Sequence, residues 1–196
     1  GNNVNLFYRT SVTSPSVTQL QDVIDNTNPL ILSSGNKDLN QQYSHLLGLR
    51  WRYTKPSKGN SAFIYIGGGL NNNYITNSTI LVSKDTLLSN DILLPAGGQY
   101  TRPVNLNGNW NLRTFVNYGT PLLFMKSNMN FNAGFNYNRT PNLINDLLQY
   151  NNTYNANVGL FVGSNISQKI DFRFGYQANY NIVKYSQSTL SNNNYY

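Results

Sequence analysis

Few residues of this 196-residue chain can do covalent chemistry, because it holds one His, no Cys and seven acidic residues. Without Cys there is no thiol chemistry and no disulfide framework. A lone His leaves a zinc site short of ligands. The acids are all Asp and are scattered. Only Asp22 and Asp25 come close in sequence, and an Asn-rich stretch follows them instead of a cleft pattern. Glycoside hydrolysis needs two carboxyls across a cleft, and no spacing here supplies them. A Ser–His–Asp arrangement would have to use His45, which lies on the apolar side of an alternating segment. Gly67-Gly68-Gly69 is followed by neither Lys-Ser/Thr nor a helix start, so it is not a phosphate loop. No catalytic, metal or cofactor-binding residue is expected, and the chain does not read as an enzyme.

The chemistry that remains is cationic. Arg50, Arg52, Arg113 and Arg173 all fall on the polar side of alternating segments. Two readings are open for them. They form a basic patch that guides an anionic ligand, or they supply ordinary polarity on a wet face, with Asp171 pairing Arg173 for a gain of ~0–1 kcal/mol. The net charge of +7 is spread along the chain, with no dense run beyond Arg50, Arg52, Lys55 and Lys58. That distribution does not suggest a nucleic-acid partner.

The elements that must position these residues are strands. Met129, Phe131, Ala133, Phe135 and Tyr137 alternate with Asn128, Asn130, Asn132, Gly134, Asn136 and Asn138. Ile170, Phe172, Phe174, Tyr176, Ala178, Tyr180 and Ile182 alternate in the same way with Asp171, Arg173, Gly175, Gln177, Asn179 and Asn181. Successive strand side chains point to opposite faces, so each segment has one greasy face and one amide face. Only 11% of residues are charged, there is no Glu, and 15 Tyr and 9 Phe carry much of the apolar pattern. Seven strands are expected, near 4–12, 43–54, 61–78, 107–118, 122–139, 150–163 and 169–188. The three glycines at 67–69 predict a bulge or bend in the third. Connections alternate between tight turns at 55–60, 119–121 and 164–168 and long loops near 13–42, 79–106 and 140–149. Segments 16–25 and 141–148 have helical texture but read as loop packing, with Pro15-Ser16 as a helix start for the first. Long alternating strands with short turns at one end and long loops at the other are the pattern of an outer-membrane β-barrel. No run of about 18 apolar residues predicts a transmembrane helix. Trp51, Tyr53, Trp110 and Tyr118 fall near strand ends, as membrane-interface aromatics would. His45 would hydrogen-bond at headgroup level.

One region is more specific. It carries Pro15, Ser16, Gln19, Leu20, then Asn28, Pro29, Leu30, then Gly35, Asn36, Leu39 and Ser44. This resembles the late barrel region of TonB-dependent outer-membrane receptors of the Bacteroidetes-type outer membrane protein beta-barrel family. Lys37 stands where that pattern usually has Pro, and Gln42 where it usually has Glu. The resemblance implies a receptor with a barrel of about 22 strands, an N-terminal plug domain and a contact to TonB. It also implies outer-membrane lipid around the wall and uptake of a nutrient ligand such as an oligosaccharide, peptide or metal chelate. Arg50, Arg52, Arg113 and Arg173 would then face the lumen and its plug.

The fold expected is all-β, an antiparallel up-and-down meander of about seven long strands forming one segment, residues 1–196. Seven is odd, whereas single-chain bacterial barrels are even, and both ends of the sequence read as cut. The chain therefore reads as a slice of barrel wall. Taken alone, such a slice is expected to roll into a small barrel or sandwich with Phe131, Phe135, Phe172, Phe174, Val158 and Leu160 inward, or to bury that face in a dimer. The competing readings are a surface β-sandwich adhesin or binding module and a small complete porin-like barrel.

Overall fold

Sustained two-residue alternation produces strands wherever it occurs. The structure, a computed structural model, describes residues 1–88, 92–164 and 171–186. The elements, in chain order, are β1 (Asn2–Thr13), α1 (Val17–Leu20), β2 (Asp25–Asn28), β3 (Ile31–Ser33), β4 (Gln42–Lys55), β5 (Asn60–Asn72), β6 (Tyr74–Leu81), β7 (Thr86–Leu87), β8 (Leu93–Leu94), β9 (Gln99–Leu106), β10 (Asn109–Leu122), β11 (Ser127–Ile144), β12 (Leu147–Ser164) and β13 (Arg173–Tyr185). The expected turn at 164–168 and the expected strand ends at 169–170 and 187–188 fall largely outside the described residues.

Seven long strands lie side by side in chain order, β1-β4-β5-β10-β11-β12-β13, each antiparallel to its neighbours. This is the up-and-down meander expected. It is an open sheet: among the described residues β1 and β13 pair only with β4 and β12. Seven strands in alternating directions leave both edges running the same way. They cannot meet each other as an antiparallel pair, the arrangement in which bacterial outer-membrane barrels close.

The third expected strand, 61–78, is two elements. Its bend lies at Asn73, which has φ 51, and not at the glycine triplet. Gly67, Gly68 and Gly69 stay in regular register with both neighbours. Across the ribbon from Asn73 the chain bends again at Gly108, with φ 96. Such angles suit Gly and are tolerated by Asn. Asn73 N–H donates to the Asn107 side chain at 2.9 Å across the bend. Register survives the bend. Asn71 faces Asn109 on one side of it and Tyr74 faces Leu106 on the other. The same register continues through Leu81 opposite Gln99 to Leu87 opposite Leu93. Most of the segment expected as a long loop, 79–106, is therefore the distal part of one β-ribbon that starts in the wall as β5 and β10.

The segment 140–149 is likewise not a loop or a helical turn. β11 and β12 pair without interruption from Ser127 opposite Ser164 to Ile144 opposite Leu147. Asn145 (φ 50) and Asp146 (φ 60) close them in a two-residue turn with both central residues left-handed. The turn expected at 119–121 is displaced. Gly119 to Leu122 belong to β10, and the reversal is made by a 3-10 turn at Leu123–Met125 with Lys126 left-handed at φ 46. The tight turn at 55–60 is present, with Gly59 at φ 67. In 13–42 a short helix does form. Ser16 caps it and Gln19 returns the bond to the Ser16 backbone, a capping box that ends after one turn.

The distal ribbon folds over the loop end of the sheet, where β6 runs parallel to the end of β11 and β9 parallel to β3. Here lie the buried apolar residues, Leu32, Leu39 and Leu94. Side chains stitch this layer together. Ser34 bonds the Tyr100 hydroxyl at 2.6 Å, Asn36 donates to the Pro103 carbonyl, and the Asn105 amide bridges the carbonyls of Asn40 and Asn73.

The apolar face of the sheet is neither rolled inward nor covered by a second sheet, so the first of the two expected arrangements, a small barrel or sandwich, is not formed. Leu6 is 69% exposed and Phe174 60%, and Phe135, Phe172 and Val158 are exposed as well. Bulk is distributed against inward rolling. Gly48, Gly67, Gly69, Gly119, Gly134, Gly159 and Gly175 all share the polar face, whereas Gly68 stands alone among glycines on the apolar face. Glycine in a strand permits bending and close approach, so its concentration on the polar face favours curvature toward that face.

Candidate functional site

Register places the candidate residues on the two faces without ambiguity. Arg50 of β4 lies beside Tyr65 of β5, which lies beside Phe115 of β10. One step toward the turn end, Arg52 lies beside Phe63. One step the other way, Phe7, Gly48, Gly67 and Arg113 form a row across β1, β4, β5 and β10. Glycine has a role in this row. A Cβ at Gly48 would strike the Phe7 ring, and one at Gly67 would strike the Tyr65 ring and hydroxyl. Both aromatic rings therefore lie across the sheet in space that any larger residue would fill. The Arg50 guanidinium sits 4.7 Å from the Phe7 centroid and 5.9 Å from that of Tyr65. Each such contact contributes about 0.5–1 kcal/mol at an exposed site. Arg113 donates from Nε to the Asn136 side chain at 3.1 Å. Phe63 and Phe115 pack at 6.2 Å. Together Arg50, Arg52, Arg113, Phe63, Tyr65 and Phe115 line an open depression of about 520 Å³.

Three of the four candidate arginines thus share one site. Arg173 does not: it pairs with Gly163 at the turn end of the far edge strand. Asp171, expected as its partner, accepts a hydrogen bond from the Ser164 hydroxyl at 3.4 Å. No long strand carries an Asp or Glu, although they carry Arg9, Arg50, Arg52, Lys55, Arg113, Arg139, Arg173 and Lys184. Sequence reasoning missed Phe7, Phe63, Tyr65 and Phe115. Their signal was present as aromatics out of phase with the alternation, on the face otherwise held by Asn and Gly.

The opposite face has bands. One row reads His45, Leu70, Trp110, Arg139, Asn152 and Lys184. Eight residues along each strand another row reads Tyr53, Ala62, Tyr118, Phe131, Leu160 and Tyr176. The three rows between carry no charge; they include Leu49, Ile66, Phe135, Val116, Val158 and Ala178. Eight residues span about 26 Å along a strand. Trp110 lies at the loop-end boundary, Tyr53 and Tyr118 at the turn-end boundary, and Trp51 one row inside, 6.2 Å from Tyr53. His45 stacks on Tyr8, whose hydroxyl meets Nδ1 at 2.7 Å. Trp110, Tyr137 and Tyr154 form a continuous aromatic cluster with centroid spacings of 4.5 and 4.9 Å. The Arg139 guanidinium lies 3.7 Å from the Tyr150 ring centroid.

The arrangement can present a basic, aromatic-floored surface on one side of a wall and an uncharged belt on the other. Comparison of the chain with protein-family models, curated proteins and solved structures gives no match.

Proposed function

We propose that this chain is wall from the barrel of an outer-membrane receptor or transporter, of the TonB-dependent type that its Pro15–Ser44 segment resembles, acting in nutrient uptake. One observation carries the reading: an uncharged belt crosses all seven long strands between a loop-end row bearing His45, Trp110, Arg139 and Lys184 and a turn-end row bearing Tyr53, Tyr118 and Tyr176, and many of its side chains are exposed. Its length of about 26 Å along the strands becomes about 20 Å at a tilt near 40°, close to the apolar band of such barrels. An exposed apolar surface this broad marks a partner, and lipid is the partner whose thickness fits. On this reading the Asn-rich face lines the lumen, where a plug domain sits, and the stitched loop layer faces the ligand. TonB then supplies the energy for uptake, and no step of the function is catalytic.

The test uses the chain's two tryptophans, Trp51 and Trp110, both on the belt face. The chain is folded into phosphatidylcholine vesicles with and without brominated acyl chains. Both single-Trp variants, Trp51→Phe and Trp110→Phe, are expected to lose fluorescence in brominated lipid. Emission unchanged by bromine in chain that is recovered with the vesicles overturns the proposal.

A further inference from the structure

We propose that the polar-face depression around Arg50, Arg52 and Arg113 binds a planar organic anion carrying two or more carboxylate-like groups. Three observations point there. First, the cations surround an aromatic floor of Phe63, Tyr65 and Phe115. Guanidinium forks recognise carboxylates in bidentate pairs, while aromatic faces favour a flat body over a bulky one. Second, the cations have no acid of their own on the wall. No long strand supplies an Asp or Glu, and the described partners of Arg50 and Arg113 are Phe7, Tyr65 and Asn136, all uncharged. Third, the site is held in shape. Glycines at 48 and 67 let the Phe7 and Tyr65 rings lie beside Arg50, and Asn136 fixes Arg113. Such fixing lowers the entropy lost on binding.

The spacing sets the ligand's size. Arg50 and Arg113 are two strands and two residues apart, so their Cα atoms are separated by roughly 12 Å. Two extended arginines can close that gap around a single ring bearing carboxylates. A chain of aspartates would find the charge but gain nothing from the aromatic floor. The inference deepens the uptake reading by naming a ligand class and rests on that reading for its physiological meaning. Its test is separate, because calorimetry reads the polar face and lipid quenching reads the other.

The full chain in uncharged detergent micelles is titrated by calorimetry with benzene-1,3,5-tricarboxylate, with citrate and with a hexa-aspartate peptide. The tricarboxylate is expected to saturate at one per chain with Kd below about 1 mM and to weaken as salt is added. Citrate, equally charged but not planar, is expected to bind at least fivefold more weakly. Arg50→Gln, Arg52→Gln and Arg113→Gln are each expected to weaken binding about tenfold or more, and Arg173→Gln to leave it unchanged. Arg113→Lys keeps the charge without the fork and is expected to fall between wild type and Arg113→Gln, which controls for folding. No saturable tricarboxylate binding overturns the proposal. So does tighter binding of the peptide, or an Arg173→Gln loss equal to the others, which would reveal simple attraction to net charge.

Discussion

Asp25 shows how the loop layer is set by single polar contacts. Its carboxylate accepts the backbone N–H of Thr27 at 3.0 Å. That bond first, and the Thr27 hydroxyl second, hold its pKa below the ordinary value of 3.8. A depressed carboxylate contributes stability that is fully present above the unfolded value and is lost as pH falls through the lower folded value. The local turn is therefore expected to hold at pH 5 and loosen only below 3.8. The Thr27 amide resonance, followed by NMR through acid titration, should move with a midpoint below that value, and a midpoint at or above it contradicts the assignment. The arginines of the polar face illustrate a different principle. Arg50 is placed by what is missing at positions 48 and 67, so its surroundings depend on two residues with no side chain.

The β11–β12 hairpin depends at its tip on two left-handed residues, Asn145 and Asp146. A β-branched side chain at such a φ is strained by about 1–2 kcal/mol. Asp146→Val is expected to lower unfolding free energy by that amount in denaturant titration of the detergent-folded chain, whereas Asp146→Gly should not destabilise. This tip also shows where the sequence was hard to read. Alternation made each long strand legible, along with the face of Arg50, Arg52 and Arg113, because period two fixes the face once one residue is placed. It failed at strand ends. Pro141 and the run Leu143-Ile144-Asn145-Asp146-Leu147-Leu148 break the alternation, so continued pairing there looked like loop. Leu123-Phe124-Met125 made the opposite error. An apolar run reads as strand, yet it forms a turn, because Lys126 accepts a left-handed conformation. The distal ribbon was obscured by Pro95, Gly97, Gly98 and Pro103, which are tolerated because its edges are not uniformly paired. The aromatics of the ligand site were hidden for a related reason: out-of-phase aromatics look like noise until the register sets them side by side.

At the scale of the whole molecule, the two faces should respond oppositely to the same charge. Tyr180, in the central row of the belt, and Asn179 are neighbours on β13, both exposed, pointing to the belt and to the polar face respectively. A Lys on the lipid face near the midplane of a barrel costs about 2–4 kcal/mol. Tyr180→Lys is therefore expected to lower the stability of the vesicle-folded chain by that amount, and Asn179→Lys to change it by less than about 0.5 kcal/mol. Equal effects in a urea titration would mean that the belt does not meet lipid.

The ribbon that leaves the wall as β5 and β10 has a further consequence, for the order of assembly. Bringing two distant strands together normally requires closing everything between them in a single event, at a cost that grows with the length enclosed. Here each rung from Leu87–Leu93 inward brings the next pair within reach, through Tyr74–Leu106 and across the bend to Asn71–Asn109. The pairing can advance as a zipper, and the enclosed length at each step is almost nothing. The most distant connection between neighbouring wall strands can thus be closed at the entropic cost of a short one.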